Sequence, residues 1–104
     1  MYWVDFTPSR GAEQAGRRPA VIISTDTANR VLNNVTVAAI TTKIRAGSPL
    51  QLVLPRGNPC VEESAVIGHQ VMTVDKARLD EYVGILDASQ LESLRRLLRQ
   101  VWAL

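Results

Sequence analysis

Over most of its length the chain alternates apolar and polar residues in short runs, and only its C-terminal end changes period. Residues two apart share one face of a strand, and β-branched side chains suit that geometry. Tyr2 to Phe6 reads as a first strand, broken by Thr7-Pro8-Ser9-Arg10-Gly11. Ala20 to Ser24 is a compact apolar run of the same kind. Asp26 to Asn34 is polar and closes in an Asn33-Asn34 turn, after which residues 35–42, Val-Thr-Val-Ala-Ala-Ile-Thr-Thr, form the clearest long strand. Gly47-Ser48-Pro49 punctuates the chain before Leu50 to Leu54 alternates again. Pro55 to Pro59 reads as loop and Ser64 to Thr73 as strand.

Past Thr73 the signals change. Asp75 to Leu79 predicts a helical turn, followed by a short last strand near Tyr82 to Leu86. The tail is helical, with Leu91, Leu94, Leu98 and Val101 recurring on one face and Arg95, Arg96 and Arg99 on the others. Asp87 or Ser89 serves as its cap, and Ser89-x-x-Glu92 fits a capping box. Short antiparallel strands ending in one amphipathic helix predict a mainly β fold with some α. The expected form is a small barrel covered on one side. No internal repeat or linker interrupts residues 1–104, so one domain is expected.

Composition removes several classes. With 46% hydrophobic residues the chain is too apolar for disorder. A net charge of +2 falls short of the strong basic patch of a tight duplex-DNA binder, yet it permits binding of single-stranded RNA. One cysteine, Cys60, forms no internal disulfide, so nothing points to secretion. A nucleophilic thiol needs a base, but the single histidine, His69, lies in an apolar strand-like run, and a cysteine–histidine pair is disfavoured. Zinc takes three or four nitrogen or sulfur ligands, so neither a metal nor another cofactor is expected. No apolar run is long enough to cross a membrane, and Met1-Tyr2-Trp3-Val4-Asp5 is no signal peptide. The expectation is a soluble cytoplasmic protein that does not engage membranes.

Chemistry concentrates in Gly11-Ala12-Glu13-Gln14-Ala15-Gly16-Arg17-Arg18-Pro19, read as a glycine-bounded loop that leads into Ala20-Val21-Ile22-Ile23. It carries a carboxylate, an amide and two guanidiniums, the groups that handle protons and phosphate, and loops on rigid scaffolds are where sites sit. Three blocks follow in order: Glu13-Gln14-x-Gly16-x-Arg18-Pro19, Ala38-Ala39-Ile40-Thr41-Thr42-Lys43, and Gln70-Val71-Met72-Thr73-Val74-Asp75-Lys76-x-Arg78-Leu79. Together with Trp3-Val4-Asp5-Phe6-x-Pro8 they resemble the MazF/PemK family of toxin endoribonucleases, over essentially the whole chain. The family's short Arg-Gly-Asp-like lead has no counterpart here, where Met1 runs directly into Tyr2-Trp3.

The resemblance implies an SH3-like small β-barrel of the MazF/CcdB-like kind, with helical turns and a C-terminal helix. It also implies a cytoplasmic homodimer, metal-independent cleavage of single-stranded RNA at short sequences, and a small antitoxin as partner. It carries catalytic roles onto Arg18, Thr41 and Glu13, and RNA contact onto Ser64 and Gln70; Gln14, Arg17, Thr42, Lys43 and Trp3 are further expected RNA contacts, with Trp3 equally suited to packing the barrel. The chemistry is coherent on its own terms. Metal-free cleavage has the 2′-hydroxyl attack the adjacent phosphorus, and the phosphorane then needs donors, which a guanidinium fork supplies. The Thr41 hydroxyl can donate to a non-bridging oxygen, and Glu13 can act as base or position Arg18. The same resemblance gives Arg18 a part in proton transfer, costly at its high pKa. Arg45 to Ser48 and Arg56 to Asn58 are loops suited to base choice. The alternative is a toxin that poisons DNA gyrase through protein contact, a class with a tryptophan near the C-terminus. Trp102 offers that likeness, although packing within the amphipathic helix explains it as well.

Overall fold

A computed structural model describes residues 1–6 and 16–104. Its strands are β1 (Tyr2–Asp5), β2 (Arg17–Ile22), β3 (Asn34–Thr41), β4 (Gln51–Leu54), β5 (Ser64–Asp75) and β6 (Leu79–Tyr82). Helix α1 (Asp26–Val31) joins β2 to β3, a 3₁₀ turn (Lys76–Arg78) joins β5 to β6, and α2 (Ala88–Trp102) ends the fold. The strands make one sheet in the order β4-β5-β3-β2-β1-β6, every neighbouring pair antiparallel. This is the expected small antiparallel barrel-like sheet with a terminal helix; among the described residues its ladder is left open between β4 and β6.

The bend has an identifiable cause. β3 pairs β5 from Asn34↔Asp75 to Ala38↔Val71, then resumes at Ile40↔Val66, leaving extra β5 residues opposite Ala39. Surplus residues on one strand bend it and increase its twist, a device found beside active sites. Gly68 lies inside this irregularity, where a Cβ would come 3.0 Å from the Leu97 side chain. Its N–H donates to Leu50 O at 2.8 Å, and its carbonyl accepts from Trp102 Nε1 at 2.8 Å. A side chain there would push α2 off the sheet.

Two apolar clusters lie on the two sheet faces. One joins Val21, Ala38, Ile40, Leu54 and Val66 to Leu94 and Leu97 of α2. The other, around Val4, Ala20, Val35 and Val37, is completed by Phe6. Burying a leucine contributes about 1.5–3 kcal/mol, so Leu94 and Leu97 hold the helix down. Leu91, placed on the buried face by periodicity, is 40% exposed, and Leu97 takes its place. Asp87, one of the two expected caps, is the N-cap: it accepts from Gln90 N at 2.7 Å, and Gln90 Oε1 accepts from Asp87 N at 3.0 Å. The box therefore starts two residues before Ser89. Glu92, freed from capping, lies 3.7 Å from both Arg95 and Arg96.

Other boundaries moved for local reasons. Helix α1 forms inside the segment read as polar coil, because Thr25 accepts from Ala28 N at 3.2 Å and Lys76 Nζ donates to Asn29 O. It buries no residue, so it has no periodic signature. The last strand occupies Leu79–Tyr82 instead of Tyr82 to Leu86, fixed by Val4↔Leu79 and Tyr2↔Tyr82 against β1. Its middle residues Asp80 and Glu81 are exposed, which masks the alternation. β2 starts at Arg17, so Arg17, Arg18 and Pro19 belong to a strand and not to a loop. Pro19 lies where β2 pairs β1 alone, at the margin a residue without an N–H tolerates.

Candidate functional site

Strand alternation decides which groups meet. In β2, Arg18 points to the same face as Ala20 and Ile22, while Arg17 shares the opposite face with Pro19 and Val21. Ala20 pairs with Ala39 of β3. The paired register ends there, and Arg18 and Thr41 lie two residues beyond it on their strands. Both line an open cleft of about 500 Å³, with Lys43, Arg45, Gln51, His69 and Gln70. The β5 irregularity delivers His69 and Gln70 to the cleft wall, and Leu50 and Ile67 supply its apolar part.

Thr41 is fixed by its own neighbourhood. Its Oγ1 accepts from Lys43 N at 3.0 Å, which leaves the hydroxyl proton free to donate. Gln51 Oε1 accepts from Arg45 N at 2.9 Å and its Nε2 donates to Lys43 O at 3.3 Å. The segment bearing Lys43 and Arg45 is thereby held by a side chain from β4. Arg18 is exposed and has no carboxylate partner among the described residues. Three permanent cations therefore line the cleft, and no carboxylate among the described residues does. Concave, positively charged walls concentrate anions.

Arg17 has a different fate. Its Nε lies 2.9 Å from Asp80 Oδ2, its second guanidinium nitrogen 3.2 Å from Glu81 Oε1, and its Cζ 4.6 Å from the Trp3 ring centroid. Trp3, Thr42 and Ser64 also fall on this second side, around a mostly apolar cavity of about 290 Å³ shared with Pro19, Cys60 and Val83. Ser64 is 3% exposed and donates its hydroxyl to Glu62 O at 2.9 Å. Burial pushes the Cys60 thiol up, with the Ser64 hydrogen bond opposing. Cys60 lines this cavity and His69 the other, so the two do not form a pair. Trp102 is 49% exposed and anchors α2 through its Nε1 bond to Gly68 O.

Of the predicted set, the cleft gathers Arg18, Thr41, Lys43 and Gln70, while Arg17, Trp3, Thr42 and Ser64 lie on the other side. Glu13 and Gln14 lie outside the described residues. Sequence reasoning missed Gln51, whose only signal was a polar position in an alternating strand. It also set His69 aside as an apolar-strand residue, although that position is exposed.

A three-cation cleft holding a threonine hydroxyl and two amides, at the end of a bent antiparallel sheet, defines a small β-protein built to grip a polyanion. The family model for PemK-like, MazF-like toxins of type II toxin–antitoxin systems matches residues 1–102. Endoribonuclease MazF of Staphylococcus epidermidis is 37% identical over 93 residues, 88% of this chain and 78% of that relative. The solved Mycobacterium tuberculosis toxin MazF-mt6 is 25% identical, with a TM-score of 0.83 over 99% of this chain and 95% of that one. An endoribonuclease in complex with its cognate antitoxin, from a mycobacterial species, shares the fold at 21% identity. Its TM-score is 0.83, over 99% of this chain and 90% of that one. The chain belongs to the PemK-like, MazF-like toxin family.

Proposed function

We propose that this protein is a toxin endoribonuclease that cleaves single-stranded RNA at a short sequence, without a metal, by attack of the 2′-hydroxyl on the adjacent phosphorus. The observation that supports the assignment of roles is that Arg18 and Thr41 line one cationic cleft. In this reading the Arg18 guanidinium spans two phosphate oxygens and stabilises the phosphorane where charge develops. The Thr41 hydroxyl, whose oxygen already accepts from Lys43 N, donates to a non-bridging oxygen. Lys43 and Gln70 hold flanking phosphate and base, with Arg45 beside them. Glu13 takes the 2′-proton or orients Arg18, and Gln14 contacts RNA. The products are a 2′,3′-cyclic phosphate, or its hydrolysed form, and a 5′-hydroxyl.

The second cavity, with Trp3, Thr42 and Ser64, extends the RNA path around the end of the sheet, Trp3 offering a ring for a base to stack on. Arg17 acts there through the field of its charge. The same reading takes residues 1–104 as one toxin domain that works as a homodimer in the cytoplasm and is silenced by an antitoxin covering the cleft. The antitoxin-bound mycobacterial neighbour supports this partner class. No described helix is long and apolar enough to cross a membrane. The gyrase-poison alternative is not supported: the relatives are endoribonucleases, and Trp102 is tied to Gly68.

The test is incubation of the purified protein with long single-stranded RNA in EDTA, with the cut ends mapped. Cuts confined to one short sequence, leaving cyclic phosphate ends, are expected. Folded protein that leaves every RNA intact overturns the reading.

A further inference from the structure

We propose that His69 is the proton donor to the leaving 5′-oxygen, an inference that rests on the RNA-cleavage reading above. His69 is exposed on the bent segment of β5 and lines the same cleft as Arg18 and Thr41. Among the described residues it has no hydrogen-bond or ion-pair partner, so its ring nitrogens are available to a substrate. The charged groups facing it are Arg18 from β2 and Lys43 and Arg45 from the β3–β4 connection. Guanidinium and ammonium groups stabilise negative charge well and are poor proton donors near neutral pH. The Thr41 hydroxyl is a weak acid as well. Expulsion of a ribose 5′-alkoxide needs a proton, and imidazole is the side chain whose ordinary titration falls near neutrality.

The step balances as follows. The 2′-oxygen–phosphorus bond forms while the 2′-hydroxyl gives its proton to water. The phosphorus–5′-oxygen bond breaks, its electron pair goes to the 5′-oxygen, and that oxygen takes the proton of the His69 imidazolium. Water restores the proton to the neutral imidazole. Nothing is oxidised or reduced. Arg18 stabilises the phosphorane throughout, and the proton-transfer burden moves from the guanidinium to the imidazole.

The test compares wild type, His69→Ala and His69→Gln in single turnovers on the mapped RNA site. One substrate has the natural 5′-oxygen at the scissile bond and the other a 5′-bridging sulfur, whose thiolate leaves without protonation. On the oxygen substrate both variants are expected to lose about 10²–10³-fold in rate, together with the alkaline limb of the wild-type pH profile. On the sulfur substrate they are expected to stay within about threefold of wild type. Equal slowing on both substrates makes His69 a binding or positioning residue and overturns the proposal, as does no slowing on either. Failure of the wild type to cut the oxygen substrate instead removes the RNA-cleavage reading, and this inference with it. Because His69 is exposed, unchanged melting temperatures are expected for both variants.

Discussion

Arg17 and Arg18 are neighbours in sequence and opposites in structure. One is clamped over Trp3 between Asp80 and Glu81, and the other faces a cleft without a described counter-ion. The same division runs through the rest of the sheet end. One side holds a polar, cationic cleft with Arg18, Thr41, Lys43 and His69, and the other a mostly apolar cavity with Trp3, Pro19, Cys60 and Val83. Identical side chains thus receive different work according to strand parity. A guanidinium whose hydrogen-bond donors are already committed to carboxylates is worth less to a phosphate than one left open.

That contrast is sharpest in catalysis. Arg18→Ala is expected to slow single-turnover RNA cleavage by about 10²–10³-fold, with a melting temperature close to wild type because the side chain is exposed. Cleavage at an undiminished rate would remove the cleft from the mechanism. Thr41→Val keeps the β-branched shape and deletes the hydroxyl. It should cost about 10–100-fold, the size of one donor to a charged oxygen. Loss of fold instead of rate would make Thr41 a structural residue whose hydroxyl serves Lys43 N alone.

The other side should respond in stability more than in rate. Arg17→Ala breaks two ion pairs whose members are all at least 42% exposed, so about 0–1 kcal/mol is expected in a urea melt. Cleavage should change by less than about threefold. Arg17→Ala as damaging as Arg18→Ala would erase the distinction between the faces. The smallest effect belongs to Cys60. Its thiol is pushed above the ordinary value of 9.0 by burial, so the unfolded chain ionises first as pH rises. The stability it contributes is present below about pH 9 and is lost as pH climbs through the folded value. Cys60→Ala should flatten the alkaline decline of melting temperature, and a decline of unchanged slope would assign it to other groups.

The legible parts of the fold were those with a strong period and one buried face. β1, β3, β4 and β5 fall within one or two residues of their expected spans, because alternation between core and solvent is written residue by residue. Helix α1 was invisible since it buries nothing, and β6 was displaced since Asp80 and Glu81 look like loop. In α2 the spacing fits either Leu91 or Leu97 on the inner face, and contact with Gly68 selects Leu97. For the site, the family resemblance and the residues around its motifs pointed to Arg18, Thr41, Lys43 and Gln70, which the cleft gathers, but said nothing of Gln51. Gln51 acts by clamping backbone from another strand, and no local pattern records that.

The sequence by itself determined the strand runs, the terminal amphipathic helix, the motif blocks and the family they resemble, since these depend on periodicity and on residue types at short spacing. Tertiary structure alone decided that Arg17 and Arg18 part company, that His69 faces the cleft instead of Cys60, and that the sheet bends at Gly68. Those outcomes depend on register and on a bulge, where a shift of one residue exchanges the faces of every side chain beyond it.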